Sequence, residues 1–140
     1  MNAPFRLRAL DHVVLRVSDM NRMIRFYCEV LGCREERRLD AIGLVQLRAG
    51  SSLVDLVPRA PDESDGDRSV ASVNMDHFAL TIEPFDSGAL EMHFAVHGVT
   101  IGPVASRYGS EGHGPSIYLY DPEGNQIELK GPPTTGLEGS

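Results

Sequence analysis

The chain repeats itself. The phrases "LDHVVLRVSDM" and "MDHFALTIEPF" align so that His12 falls on His77, an offset of 77 − 12 = 65 residues. Each phrase is followed by a helix-like segment that ends in glycine, then by extended segments, the last carrying a carboxylate. Two copies suit a duplicated domain better than a solenoid, which needs about three or more stacked units. Any fold for this chain must therefore hold two copies of one strand–helix–strands unit.

In the first copy, residues 10–17 alternate between apolar and polar and read as a strand. Ser18 or Asp19 can cap a helix over 20–31, where Met20, Met23, Ile24, Tyr27, Val30 and Leu31 fall at helical spacing. Gly32 ends it. Strands follow near 34–39, 43–48 and 52–57, with "RAGSS" as a hairpin turn. In the second copy the strand spans 75–82 and the helix 87–97, from Asp86 or Ser87 to Gly98. Strands are predicted near 100–105, 115–120 and 125–130, and "DPEGN" forms the turn between the last two. The chain thus reads as one domain, 1–140, made of a module over 8–58, an acidic surface linker over 59–73, a module over 74–131 and a mobile tail over 132–140.

Length and composition narrow the function classes. A chain of 140 residues can bury a real core. A net charge of −7 argues against a nucleic-acid binder, which normally shows a basic face. No stretch approaches the apolar length of a membrane span, and the first residues do not read as a signal peptide. Cys28 and Cys33 match no metal or redox spacing, which points to packing roles in a reduced, cytoplasmic protein.

Strand alternation then sorts side chains by face. Val13, Leu15 and Val17 are core, so His12 points the other way; Phe78, Leu80 and Ile82 are core, so His77 does too. Val54 and Leu56 flank Asp55, and Ile127 and Leu129 flank Glu128, which places both acids opposite the core face. Tyr118 and Tyr120 share that orientation, because Ile117 and Leu119 are core. A carboxylate inside an apolar strand costs several kcal/mol unless it is paired or ligated. If the two sheets curl around a shared cleft, His12, Asp55, His77 and Glu128 make a mixed N/O set that suits one divalent ion per site: Zn, Ni, Mn, Co or Fe. The plainer alternative makes each histidine a structural residue and pairs Asp55 with a cation such as Arg48.

At these residues the chain resembles the vicinal oxygen chelate superfamily, which includes glyoxalase I, fosfomycin-resistance proteins, extradiol dioxygenases and bleomycin-resistance proteins. The resemblance covers about 8–131 and rests on "LDHVVLRVSDMNRMIRFYCEVLG", "SSLVDLVP", "MDHFALTI" and "GPSIYLYDPEGNQIELKG". It implies an α+β fold of paired βαβββ modules forming a curved mixed sheet around a metal cleft. It also implies a small-molecule substrate and a homodimer, with neither membrane nor nucleic acid as partner. His12, His77 and Glu128 fall on the superfamily's ligand positions. Asp55 falls where glyoxalase I has its fourth ligand, usually the longer glutamate. Tyr118 lies ten residues before Glu128, as a tyrosine near the dioxygenase metal does, but a further dioxygenase histidine is missing from 58–73.

The activity implied first is a metal-dependent lyase or isomerase of glyoxalase type that chelates two adjacent oxygens of a small metabolite. Glu128 and Tyr118 are its candidate catalytic residues, and Tyr120, Gln46 and Arg107 its candidate substrate contacts. The alternatives are an epoxide-opening enzyme like the fosfomycin-resistance proteins, an extradiol-type dioxygenase, and a non-catalytic binder like the bleomycin-resistance proteins.

Overall fold

The computed structural model describes residues 4, 6, 9–60 and 75–134. The acidic linker over 59–73 and the tail over 132–140 therefore lie mostly outside the described residues. The chain divides into two compact units, 1–63 and 64–140. Each contains one four-stranded mixed sheet.

In the first unit the order is β1 (His12–Val17), α1 (Met20–Arg25), β2 (Arg34–Leu39), β3 (Leu44–Ala49) and β4 (Ser52–Pro58). The sheet order is β1-β4-β3-β2, with β1 parallel to β4 and the other pairs antiparallel. A parallel pair needs a crossover, and the helix supplies it. Asp19 caps α1 by accepting from the Arg22 amide at 3.1 Å.

The single helix predicted over 20–31 is a correction. After Arg25 the backbone widens into a π-helical turn, Phe26–Val30. There the Leu31 amide donates to the Phe26 carbonyl at 3.2 Å, an i→i+5 bond. Regular helical spacing would bury Tyr27 and leave Phe26 outside the apolar stripe. The widened turn buries both, their rings in edge contact at 5.3 Å. With Leu15, Val17, Met23, Val45, Leu47, Val54 and Leu56 they make the core of this unit. Burying each of the larger apolar side chains contributes about 1.5–3 kcal/mol.

The second unit repeats the plan with β5 (Phe78–Thr81), α2 (Ser87–Val96), β6 (Ala105–Gly109), β7 (Gly112–Tyr120) and β8 (Gln126–Lys130). Its sheet order is β5-β8-β7-β6, with β5 parallel to β8. Asp86 caps α2 by accepting from the Ala89 amide. Phe94, Ile117, Leu119, Ile127 and Leu129 are buried here. β5 is shorter than the 75–82 predicted, so His77 sits just before the strand. The strand predicted at 100–105 is mostly loop. Ile101 makes one isolated bridge to Leu119, and Pro103 has no amide proton to continue a ladder. The strand begins instead at Ala105 and forms a hairpin with β7 that closes at Gly109 and Gly112. This pairing also extends β7 back to Gly112, beyond the predicted 115–120. The "DPEGN" turn is as predicted: Asp121 accepts from the Glu123 and Asn125 amides, and Gly124 takes a left-handed φ of 85°.

Candidate functional site

The acids occupy equivalent places in the two sheets. Asp55 on β4 lies between Val14 on β1 and Gln46 on β3. Glu128 on β8 lies between Ala79 on β5 and Tyr118 on β7. Both carboxylates are buried, Asp55 at 3% exposure and Glu128 at 7%, although both stand among apolar residues on their strands.

In the first unit the Gln46 side-chain amide donates to Asp55 Oδ2 at 3.0 Å. Asp55 Oδ1 is buried with no hydrogen-bond partner, an unsatisfied acceptor of the kind that costs about 1–3 kcal/mol. His12 Nε2 stands 4.0 Å from Asp55 Oδ2, too far for a hydrogen bond. The other ring nitrogen, Nδ1, is 2.7 Å from Asp11 Oδ2. That contact, ahead of the charge of Asp55, holds the His12 pKa above the ordinary histidine value. Arg48 does not pair with Asp55. Its guanidinium donates to Glu36 instead, at 2.9 Å: Arg48 shares a strand face with Gln46, but it stands in register with Leu53 on β4 and Arg34 on β2, not with Asp55.

In the second unit His77 Nε2 stands 3.3 Å from Glu128 Oε1, and His77 Nδ1 is 2.8 Å from Asp76 Oδ2. The Tyr118 ring packs edge-on against the His77 imidazole with centroids 5.1 Å apart. Burial, and then the charge of and hydrogen bond to Glu128, push the Tyr118 phenol above its usual pKa. The Arg107 guanidinium lies over the Tyr118 ring at 4.7 Å and donates to the Ser116 carbonyl and hydroxyl. Tyr120, two residues further along β7, is 58% exposed.

Each unit thus joins one histidine and one acid, flanked by Gln46 in the first and Tyr118 in the second. Among the described residues no group of three or more His, Cys, Asp or Glu side chains stands close enough to hold an ion. The donor chemistry of the His77–Glu128 pair still fits a cation. With Nδ1 against a carboxylate, a neutral His77 turns its Nε2 lone pair toward Glu128 Oε1, and two facing acceptors need a proton or a cation between them. A spacing of 3.3 Å also suits two neighbouring donors each about 2.1 Å from one ion. The 4.0 Å between His12 and Asp55 approaches the maximum of about 4.2 Å for such donors, so Asp55 as placed is not a neighbouring co-ligand of His12. Asp11 and Asp76, the partners of Nδ1, were not singled out by the sequence reading. Their signal is the Asp-His dipeptide present in both copies.

Comparison with known proteins agrees with this plan. The chain is 32% identical over 125 residues to the virulence protein STM3117 of Salmonella typhimurium, covering 86% of this chain and 81% of that one. It is 30% identical over 131 residues to the glutathione transferase FosA of Serratia marcescens, covering 88% and 80%. Among solved structures, a mutant of the fosfomycin resistance protein FosX from Listeria monocytogenes, complexed with Mn(II) and 1S,2S-dihydroxypropylphosphonic acid, matches the fold. Its TM-score is 0.65 at 20% identity, over 89% of this chain and 90% of that one. The model of the Glyoxalase/Bleomycin resistance protein/Dioxygenase superfamily matches residues 9–129. With that match over most of its length and the same strand–helix–three-strand unit built twice, the chain belongs to the glyoxalase/bleomycin resistance protein/dioxygenase superfamily, the vicinal oxygen chelate proteins.

Proposed function

We propose that the chain is a divalent-metal-dependent enzyme of glyoxalase type, a lyase or isomerase that acts on a small oxygenated metabolite. The observation that carries this reading is His77 Nε2 facing Glu128 Oε1 at 3.3 Å, two buried or half-buried donors turned toward each other. In this reading His12, His77 and Glu128 hold the ion. Asp55 is the fourth donor, with its Oδ1 free of any hydrogen bond and its Oδ2 held by the Gln46 amide. A bound divalent ion supplies Lewis acidity to two adjacent substrate oxygens, worth several kcal/mol. Glu128 is the candidate base for a carbon-bound proton, a role that contributes about 10²–10⁴-fold. Tyr118, in contact with both His77 and Arg107, orients the substrate, and Gln46, Arg107 and Tyr120 are further contacts.

A second reading, epoxide opening, is favoured by one specific observation. Asp55 is drawn to Gln46 and stands 4.0 Å from His12, which leaves a three-residue set. The likeness to FosA and FosX is in keeping with it.

The reading includes a homodimer, and exposed Met92 and Val96 on α2 give a second copy an apolar surface to cover. Among the described residues no helix is long and apolar enough to cross a membrane. Elemental analysis of the purified protein, followed by calorimetry with Zn, Mn, Ni and Co and a panel of 2-oxoaldehyde adducts and epoxides, tests the proposal. About one ion per site and turnover of an adduct are expected. No uptake of any of the four ions at micromolar concentration overturns both readings.

A further inference from the structure

The structure assigns Asp11 and Asp76 a positioning role: each fixes the imidazole that follows it in the tautomer protonated at Nδ1, so that Nε2 presents its lone pair toward the buried acid of its own sheet. The inference rests on the metal-centre reading for its purpose, and on local geometry for its content. Asp11 Oδ2 lies 2.7 Å from His12 Nδ1, and Asp76 Oδ2 lies 2.8 Å from His77 Nδ1. An ionised carboxylate has no proton to give, so Nδ1 is the donor in both bonds. On the far side of each ring, Nε2 faces Asp55 Oδ2 at 4.0 Å or Glu128 Oε1 at 3.3 Å.

Two features argue against a merely structural contact. The two aspartates are 90% and 88% exposed, and an exposed ion pair of this kind contributes little to stability. The same arrangement also occurs independently in both units, with 76 − 11 = 65 residues between the two acids, the offset that relates the two histidines. What the carboxylate does supply is ring orientation, a defined tautomer and greater basicity at Nε2. Those are the properties an imidazole needs before it can donate to a cation.

The test begins on metal-free protein at about pH 9, above the ordinary histidine range. Long-range ¹⁵N–¹H NMR spectra report which ring nitrogen of His12 and His77 carries the proton. The unaltered protein is expected to show both protonated at Nδ1. Asp11→Ala should move only His12 toward the Nε2-protonated form, and Asp76→Ala only His77. Asp11→Asn and Asp76→Asn keep a side-chain carbonyl that can accept, and should retain the original tautomers. Calorimetry on the same proteins should show affinity for Zn or Mn falling about 10–100-fold in the alanine variants and much less in the asparagine variants. Nε2 protonation in the unaltered protein, or unchanged tautomers in both alanine variants, overturns the inference. Tautomers that shift as expected in a protein that binds no ion support the positioning role and overturn the metal centre, so the two failures are distinguishable.

Discussion

Gln46 donates its side-chain amide to Asp55 Oδ2 at 3.0 Å across the β3–β4 ladder and leaves Oδ1 buried without a partner. If Asp55 serves the proposed ion, this pair couples stability to metal loading. Replacing the amide by an apolar chain of similar length in Gln46→Met leaves both Asp55 oxygens without a donor, so the metal-free protein should lose about 1–3 kcal/mol. The freed carboxylate can then turn to the ion, and the rise in melting temperature on adding Zn or Mn should exceed that of the unaltered protein. Asp55→Ala should weaken metal binding, and Asp55→Glu should restore or improve it. Melting curves and calorimetry check both. Unchanged affinity in Asp55→Ala removes Asp55 from the centre and favours the epoxide-opening reading.

The thiols should differ in reactivity. Burial pushes the Cys33 thiol up to about 11; Cys28, also raised by burial and by the charges of Glu35 and Glu29, is only half-buried and open to reagent. Because the thiolate is the nucleophile, iodoacetamide at about pH 8 should label Cys28 well before Cys33. The sign of the stability effect follows from the same shift. A thiol raised from 9.0 to about 11 in the folded state contributes stability that is present below pH 9.0 and lost as the pH rises through about 11. Cys33→Ala should flatten that alkaline decline in a melting-temperature profile. Mass spectrometry of the labelled peptides checks the first expectation.

What could be read in the sequence was whatever strand alternation and duplication control. The placement of His12, Asp55, His77 and Glu128 off the core faces follows from the apolar neighbours on each strand, and so does that of Tyr118. Three features depend on information that alternation does not carry. The π turn at Phe26–Val30 keeps the same residue types as a regular helix and differs only in which carbonyl each amide finds. The start of β6 is set by its partner β7, and the glycine-rich "RYGSEGHG" gives no apolar period to mark it. The Asp55 partner was a matter of reach. Arg48 and Gln46 are two residues apart on β3, yet only Gln46 lies directly across from Asp55 in the register.

Gly131 is fixed by packing. Its amide donates to the Pro115 carbonyl at 2.8 Å, and a Cβ at this position would lie 2.6 Å from Phe85 Cβ. That is a collision with the stem of a side chain, which cannot swing away as a flexible tip could. Gly131→Ala should therefore destabilise by about 1–3 kcal/mol, as overpacked sites do. The companion variant Phe85→Ala,Gly131→Ala should recover part of the loss relative to the sum of the single changes. Urea unfolding of the set checks this, and additive effects would show that the strain comes from Phe85 Cβ, which alanine retains, and not from the ring carbons 2.9 Å away.

Lys130 is buried at 5% exposure at the end of β8, and its Nζ donates to the Gly112 carbonyl at 3.0 Å. Its stem runs past two glycines. A Cβ on Gly109 would lie 3.0 Å from Lys130 Cε, and one on Gly114 would lie 3.1 Å from Nζ and 2.7 Å from the Pro132 carbonyl oxygen. The hairpin of β6 and β7 thus leaves room for a long side chain at this position. Two contributions oppose each other there: the packed methylene stem stabilises, and taking an ammonium out of water to meet one neutral carbonyl costs. Lys130→Met keeps a long unbranched chain, removes the charge and leaves only one carbonyl without its donor, so it should change stability by about 1 kcal/mol or less in either direction. Lys130→Ala removes the stem as well and should cost about 2–5 kcal/mol, the range for emptying a buried site of this size. Gly114→Ala should be destabilising in the unaltered protein and stay so with Lys130→Ala, because its closest clash is with backbone. Equal losses in Lys130→Met and Lys130→Ala would show that the ammonium, not the stem, holds this corner of the sheet.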